Sequence, residues 1–99
     1  MAFALELAKL VNALRYEDLP AAAVHWAKVG ILDTVGVTIA GASDPSARIV
    51  ARAIGSATGP AHVFGAGERV GTLDAALING TASHALDFDD CNNTLGGHP

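Results

Sequence analysis

Residues 19–40 read LPAAAVHWAKVGILDTVGVTIA, and a helix through this stretch sets the fold class. Val24, Ile31, Leu32, Val35 and Ile39 recur at helical spacing and form a broad apolar face. The later half is apolar nearly all round, the mark of a central helix packed on several sides. Gly30 and Gly36 each cost about 1 kcal/mol of helix propensity and are expected to let neighbours approach closely. Gly41 is a natural residue just past the helix end. Upstream, Asp18 is the expected N-cap, with Pro20 tolerated in the first turn. Asp33, inside the apolar half, is expected to be a buried, hydrogen-bonded carboxylate.

Working outward, residues 3–15 read as a first helix, with Phe3, Leu7, Leu10, Val11 and Leu14 on one stripe. Trp26 and His25 are expected to pack on or border it. Asp44-Pro45 is an N-cap followed by proline at the first helical position, and it opens a third helix over about 45–57. Ala47, Val50, Ala53, Ile54 and Ala57 are expected to face inward, with Arg48 and Arg52 outward. Residues 61–71, AHVFGAGERVG, are too glycine-rich for a helix. His62-Val63-Phe64 is a candidate short strand that turns at Gly65-Ala66-Gly67. A fourth helix runs from Thr72, as N-cap, to about Leu86. Four helices with one short extended segment define an all-α class.

Composition agrees. The chain has 99 residues, and 51% are hydrophobic. Alanine contributes 20 of these, which favours close helix packing over a β-sandwich. About 30 larger apolar side chains must then carry the core, at ~1.5–3 kcal/mol each when fully buried. The single cysteine, Cys91, excludes a disulfide framework and a multi-cysteine zinc site. No run approaches the ~20 apolar residues of a membrane span. The first residues lack a basic segment ahead of an apolar one, so a cytoplasmic location is expected.

The net charge of −4 argues against nucleic-acid binding, which needs a basic face. All of that charge lies in residues 70–99, which hold Asp74, Asp87, Asp89 and Asp90 and no lysine or arginine.

The chemically informative segment runs from Asn79 to Pro99. Asp87, Asp89 and Asp90 fall within four residues, flanked by His84 and His98. Crowded carboxylates repel, so one of them is expected to have a raised pKa and to hold a proton for acid or base work. His84 and Asp87, three apart, share a face if the helix persists. His98, in a loop before a proline, is a second proton-transfer candidate. The spacing equally fits a solvated acidic helix end followed by a polar turn. A third reading makes His84, Asp87, Asp90 and His98 ligands of Mn, Fe or Zn, although they match no established ligand spacing. Asn79-Gly80-Thr81 fits a glycosylation sequon, with nothing to suggest secretion.

Three pieces of sequence carry a resemblance. Ile31-Leu32-Asp33-Thr34-Val35-Gly36, with Gly41, resembles the "LLDTLG…AG" helix of the MmgE/PrpD family. Asn79-Gly80-Thr81-Ala82-Ser83-His84-Ala85-Leu86-Asp87-Phe88-Asp89-Asp90 is similar to that family's "NGtaaHaldfDD" signature, and His98-Pro99 falls where its "HPs" begins. The family includes 2-methylcitrate dehydratase, cis-aconitate decarboxylase and iminodisuccinate epimerase. The resemblance implies a metal- and cofactor-independent lyase acting on a small polycarboxylate, with a helical large domain, an α+β small domain and a homodimeric assembly. It assigns catalytic roles to Asp90, Thr94 and His98, with Asp89 the other member of the aspartate pair. Cys91-Asn92 replaces the Thr-His of the commoner "DDTH" form, which leaves the substrate open.

The expectation from this resemblance is that residues 1–99 form the N-terminal helical part of such an enzyme and are inactive alone. A tricarboxylate needs cationic partners, and the segment carrying Asp90 and His98 has none. Two alternatives stand beside it: a metal-dependent hydrolase built on the His/Asp cluster, and a helical interaction module from a truncated reading frame. No nucleic-acid or membrane partner is expected.

Overall fold

A computed structural model describes residues 2–54, 58–92, 94 and 96–98. The described residues are mostly helical, with four α-helices and one two-stranded sheet. The chain divides into two compact units, residues 1–30 and 31–99. The division falls inside the long second helix.

The first unit holds α1 (Ala2–Ala13), a single 3₁₀ turn (Tyr16–Asp18) and the start of α2 (Ala21–Gly41). Asp18 does not cap α2. It closes the 3₁₀ turn, donating its N–H to the Arg15 carbonyl, and the first helical bond of α2 runs from Val24 N–H to the Pro20 carbonyl. Among the described residues of this unit none is buried. Phe3 is 77% exposed and Trp26 68%. Trp26 therefore does not pack into α1; its ring meets that of His25 edge-on at 5.4 Å.

The second unit holds the rest of α2, α3 (Pro45–Ile54), strands β1 (Thr58–His62) and β2 (Arg69–Val70), and α4 (Thr72–His84). The N-terminus of α3 forms as its sequence predicts. Asp44 Oδ1 accepts the Ser46 N–H at 2.8 Å and the Ser46 hydroxyl at 2.6 Å. The hydroxyl bond, then the backbone one, hold its carboxyl below the usual range against a small opposing effect of desolvation. Ala47 is buried, and Val50, Ala51 and Ile54 pack against the core. That spacing of three, four and seven residues is the inward stripe of an amphipathic helix. Ala53 is exposed, so Ala51 takes the inward place expected of it. Ala57 lies outside the described residues.

The core is Val63, Val70, Ala75 and Ile78. The extended segment differs from the expected one. β1 covers 58–62 and includes Gly59 and Pro60, and β2 pairs with it antiparallel, with a bulge between Thr58 and Ala61. Gly59 is needed at that bulge, because a Cβ there would overlap the Val70 carbonyl. Gly65 and Gly67 both take positive φ in the connecting turn.

α4 buries Ala75, Ile78 and Ala82 on one face. Its N-cap is Gly71 rather than Thr72, with the Gly71 carbonyl accepting from Ala75 N–H at 2.8 Å. Gly41 is the last residue of α2, not a left-handed cap after it. It is buried because α4 crosses there, and a Cβ would overlap the Ala82 carbonyl oxygen. Gly30 and Gly36 show no such contact; a Cβ at either meets nothing within 4 Å among the described residues. Asp33 is exposed, contrary to expectation, because that side of α2 is left uncovered.

Candidate functional site

The end of α4 builds the site. The helix stops at His84, two residues before the expected Leu86. Asp87 takes a left-handed conformation, φ 54°, and donates its N–H to the His84 carbonyl at 3.0 Å. This turn reverses the chain, so Asp89 returns beneath His84. Both Asp89 carboxylate oxygens lie 3.0 Å from His84 Nδ1.

A second turn brings His98 to the same place. Asn92 N–H donates to the Gly97 carbonyl and Gly96 N–H to the Asn92 carbonyl, both at 2.8 Å. Gly96 supplies the positive φ this closure requires. Thr94 N–H donates to Asn92 Oδ1 at 3.0 Å, which braces the turn from inside. His98 Nδ1 then lies 3.1 Å from Asp89 Oδ2, and its Nε2 lies 3.7 Å from Asp87 Oδ1. The two imidazoles meet edge-on at 4.6 Å.

Asp89 is the hub. Its side chain is 18% exposed, against 80% for Asp87. Desolvation alone would raise its pKa. The hydrogen bond from His84, its own backbone N–H and the pull of both imidazoles outweigh that, so its carboxyl sits below the usual range. The expected raised carboxylate is therefore not Asp89. An Asp held ionised between two imidazoles orients both rings.

Of the four residues expected to be catalytic, Asp89 and His98 are in direct contact. Asp90 and Thr94 are exposed, and no contact ties either to this cluster among the described residues. His84 joins the cluster although the family pattern assigned it no role. Asp87 joins as well, through His98 and not through a shared helix face. Asn93, Leu95 and Pro99 lie outside the described residues. Cys91 is exposed.

Asn79, from the same segment, holds the scaffold. Its Nδ2 donates to the His62 carbonyl at 2.9 Å, and its Oδ1 accepts the Phe64 N–H at 3.0 Å. One side chain thus ties α4 to the end of β1. A separate cavity of about 650 Å³ lies in the same unit, lined by Ile39, Ala47, Arg48, Arg52, Phe64 and Glu68 among others, and by none of the cluster residues. Among the described residues no helix is long and apolar enough to cross a membrane.

Fold and site together define a helical domain that presents a carboxylate-linked histidine pair. The MmgE/PrpD N-terminal domain matches residues 5–99, and the chain belongs to that family. The cis-aconitate decarboxylase-like protein oryM of Aspergillus oryzae (strain ATCC 42149 / RIB 40) is 30% identical over 95 residues, covering 94% of this chain and 20% of that protein. The chain spans about a fifth of that relative's length. No solved structure matches it.

Proposed function

We propose that this chain supplies the N-terminal helical part of an MmgE/PrpD-like lyase that acts on a small polycarboxylate by acid/base chemistry. The observation that carries this reading is Asp89 shared between His84 and His98, inside a segment matched to the family. An imidazole whose Nδ1 is held by a carboxylate presents Nε2 as its basic nitrogen. His84 is then a proton donor and acceptor at the carbon next to a substrate carboxylate; His98 joins it when substrate displaces the long 3.7 Å contact of its Nε2 with Asp87, and Asp89 holds both rings in place. Asp90 and Thr94, exposed beside them, are assigned to substrate contact. Dehydration, decarboxylation and epimerisation all need such a proton transfer. The cationic groups that bind the substrate's carboxylates come from residues beyond this segment. The relative's name, cis-aconitate decarboxylase-like, places cis-aconitate first among substrates to assay.

The test is turnover of cis-aconitate and 2-methylcitrate by the polypeptide that carries these 99 residues as its N-terminal part. Asp89→Asn and His98→Ala are each expected to lower kcat by about 10²–10⁴-fold, with KM changing less. Undiminished kcat in both variants sinks the assignment. The 99-residue chain alone is expected to give no turnover, and measurable activity would overturn its role as one part of a larger site.

A further inference from the structure

We propose that the cavity between the end of α2, α3, the turn after β1 and α4 binds one monocarboxylate with an apolar body, of the medium-chain fatty-acid class. This goes beyond the lyase reading and does not depend on it, because no residue of the His/Asp cluster lines the cavity.

Size and floor carry the proposal first. The cavity measures about 650 Å³, within the ~300–1,000 Å³ of small-molecule sites. Ala47, Val63, Ile78 and Ala82 give it a floor of buried apolar side chains. Ile39 and Phe64 line it as well, yet stay 52% and 39% exposed. A ligand with an apolar body covers these two side chains. Removing their surface from water is favourable in proportion to the area covered.

Charge carries it next. Residues 31–99 hold three basic residues, Arg48, Arg52 and Arg69, against seven acids. Two of the three, Arg48 and Arg52, line the cavity. They stand one turn apart on α3, and Arg52 Nε donates to the Arg48 carbonyl at 3.3 Å. That bond holds the Arg52 side chain along the helix and leaves its two terminal amino groups for a ligand. Among the described residues, no carboxylate pairs with either guanidinium. Two unpaired guanidiniums beside an apolar floor suit one anionic head group, because their hydrogen bonds to a carboxylate are charge-assisted and frequently bidentate.

The same lining selects against a polycarboxylate. Glu68 also lines the cavity, one acid against two arginines. A single carboxylate balances that charge. A second or third would meet Glu68 or the apolar floor, where an unpaired charge is costly. The cavity therefore does not duplicate the substrate site proposed above.

The experiment is calorimetric titration of the 99-residue chain with decanoate, kept below micelle-forming concentration, with methyl NMR of the complex. Expected is saturable binding of one decanoate per chain, shifting the methyl signals of Ala47, Val63, Ile78 and Ala82. 1-Decanol has the apolar body alone and citrate the carboxylates alone; each should bind at least about tenfold more weakly. Arg48→Gln combined with Arg52→Gln should weaken decanoate binding by at least about tenfold, with helical circular dichroism retained. Ala66→Trp, which fills the cavity from an exposed position, should abolish it. Leu10→Asp, on the exposed stripe of α1, should leave it unchanged. The absence of saturable binding overturns the proposal. So do shifts confined to residues 3–30, 1-decanol binding as tightly as decanoate, or affinity that survives both the arginine pair and Ala66→Trp. Affinity that falls as the chain self-associates assigns the cavity to a second copy and overturns it too. An active lyase with no decanoate affinity refutes this inference and spares the functional reading; a decanoate-binding chain whose parent enzyme ignores Asp89→Asn does the reverse.

Discussion

At the scale of single residues, Asn79 and Asp87 show what a short polar side chain accomplishes at one position. Asn79 acts as a strand partner for backbone at the end of β1: its amide accepts from Phe64 and donates to His62. Asn79→Ala removes both bonds and leaves two exposed backbone groups to water. About 1–2 kcal/mol of stability is expected to go with them, read as a lower urea midpoint at unchanged slope. A denaturation curve that superimposes on the parent would show that water replaces the amide at no cost. Nothing in the sequence singles out this role, since the partners lie 15 and 17 residues away and Asn79-Gly80-Thr81 reads equally as a sequon. Asp44 is the opposite case. Its cap depends only on the two residues that follow it, and Asp-Pro-Ser states that locally. The cluster is intermediate. His98 and Asp89 stand out by type and position, but the choice between Asp89 and Asp90 rests on one φ angle at Asp87, a non-glycine residue in the left-handed region. No local signal marks that angle, and without it the helix would run on and point Asp89 elsewhere.

At the scale of elements, the contact between the end of α2 and α4 depends on the absence of a side chain. Gly41 sits against the Ala82 carbonyl, and Ala82 is itself buried. Small residues on both helices let the backbones approach, as ridge-and-groove packing allows when no large side chain intervenes. Gly41→Val places two methyl groups where a backbone carbonyl already lies. Backbone cannot swing aside as a long side chain can, so the helices must separate. Overpacking of this kind costs about 1–3 kcal/mol, and the loss should be largest in α4, which carries His84 two residues beyond Ala82. The matching measurement is the His84 side-chain NMR signal: it should shift in Gly41→Val. An unchanged signal with unchanged stability would mean that α4 is positioned without this contact. Helix existence was readable from apolar spacing for the first three helices and from a capping residue for the fourth, because such signals are local. Helix ends were not. Thr72 is a better N-cap by type than Gly71, yet Gly71 holds the position, and Leu86 falls beyond the turn that Asp87 imposes. Glycine roles divide the same way, with Gly41 set by a distant neighbour while Gly30 and Gly36 face open space.

At the scale of the whole chain, burial is confined to one unit. Every buried residue described lies in 31–99, while residues 3–30 expose Phe3, Leu7, Leu10, Leu14 and Trp26. A periodic apolar stripe announces which face a helix buries but not what buries it, which is why the first helix was legible and its exposure was not. An isolated helix of 12 residues, the length of α1, is marginal in water even at good propensity. Without burial its backbone bonds open at little free-energy cost, whereas those of α4 open only when the core around Val63, Val70 and Ile78 comes apart. Amide hydrogen exchange on the dilute 99-residue chain should therefore split it in two. Amides of residues 3–13 are expected to exchange within about tenfold of unstructured peptide rates. Those of Ala75, Ile78 and Ala82 should be slowest, and their protection should match the global stability measured in urea. The exposed stripe also predicts dye binding and self-association at raised concentration, with protection of α1 growing as association proceeds. Equal protection of α1 and α4 in a demonstrably monomeric chain would refute this division, because it would require a covering contact for Phe3, Leu7 and Leu10 that their exposure denies.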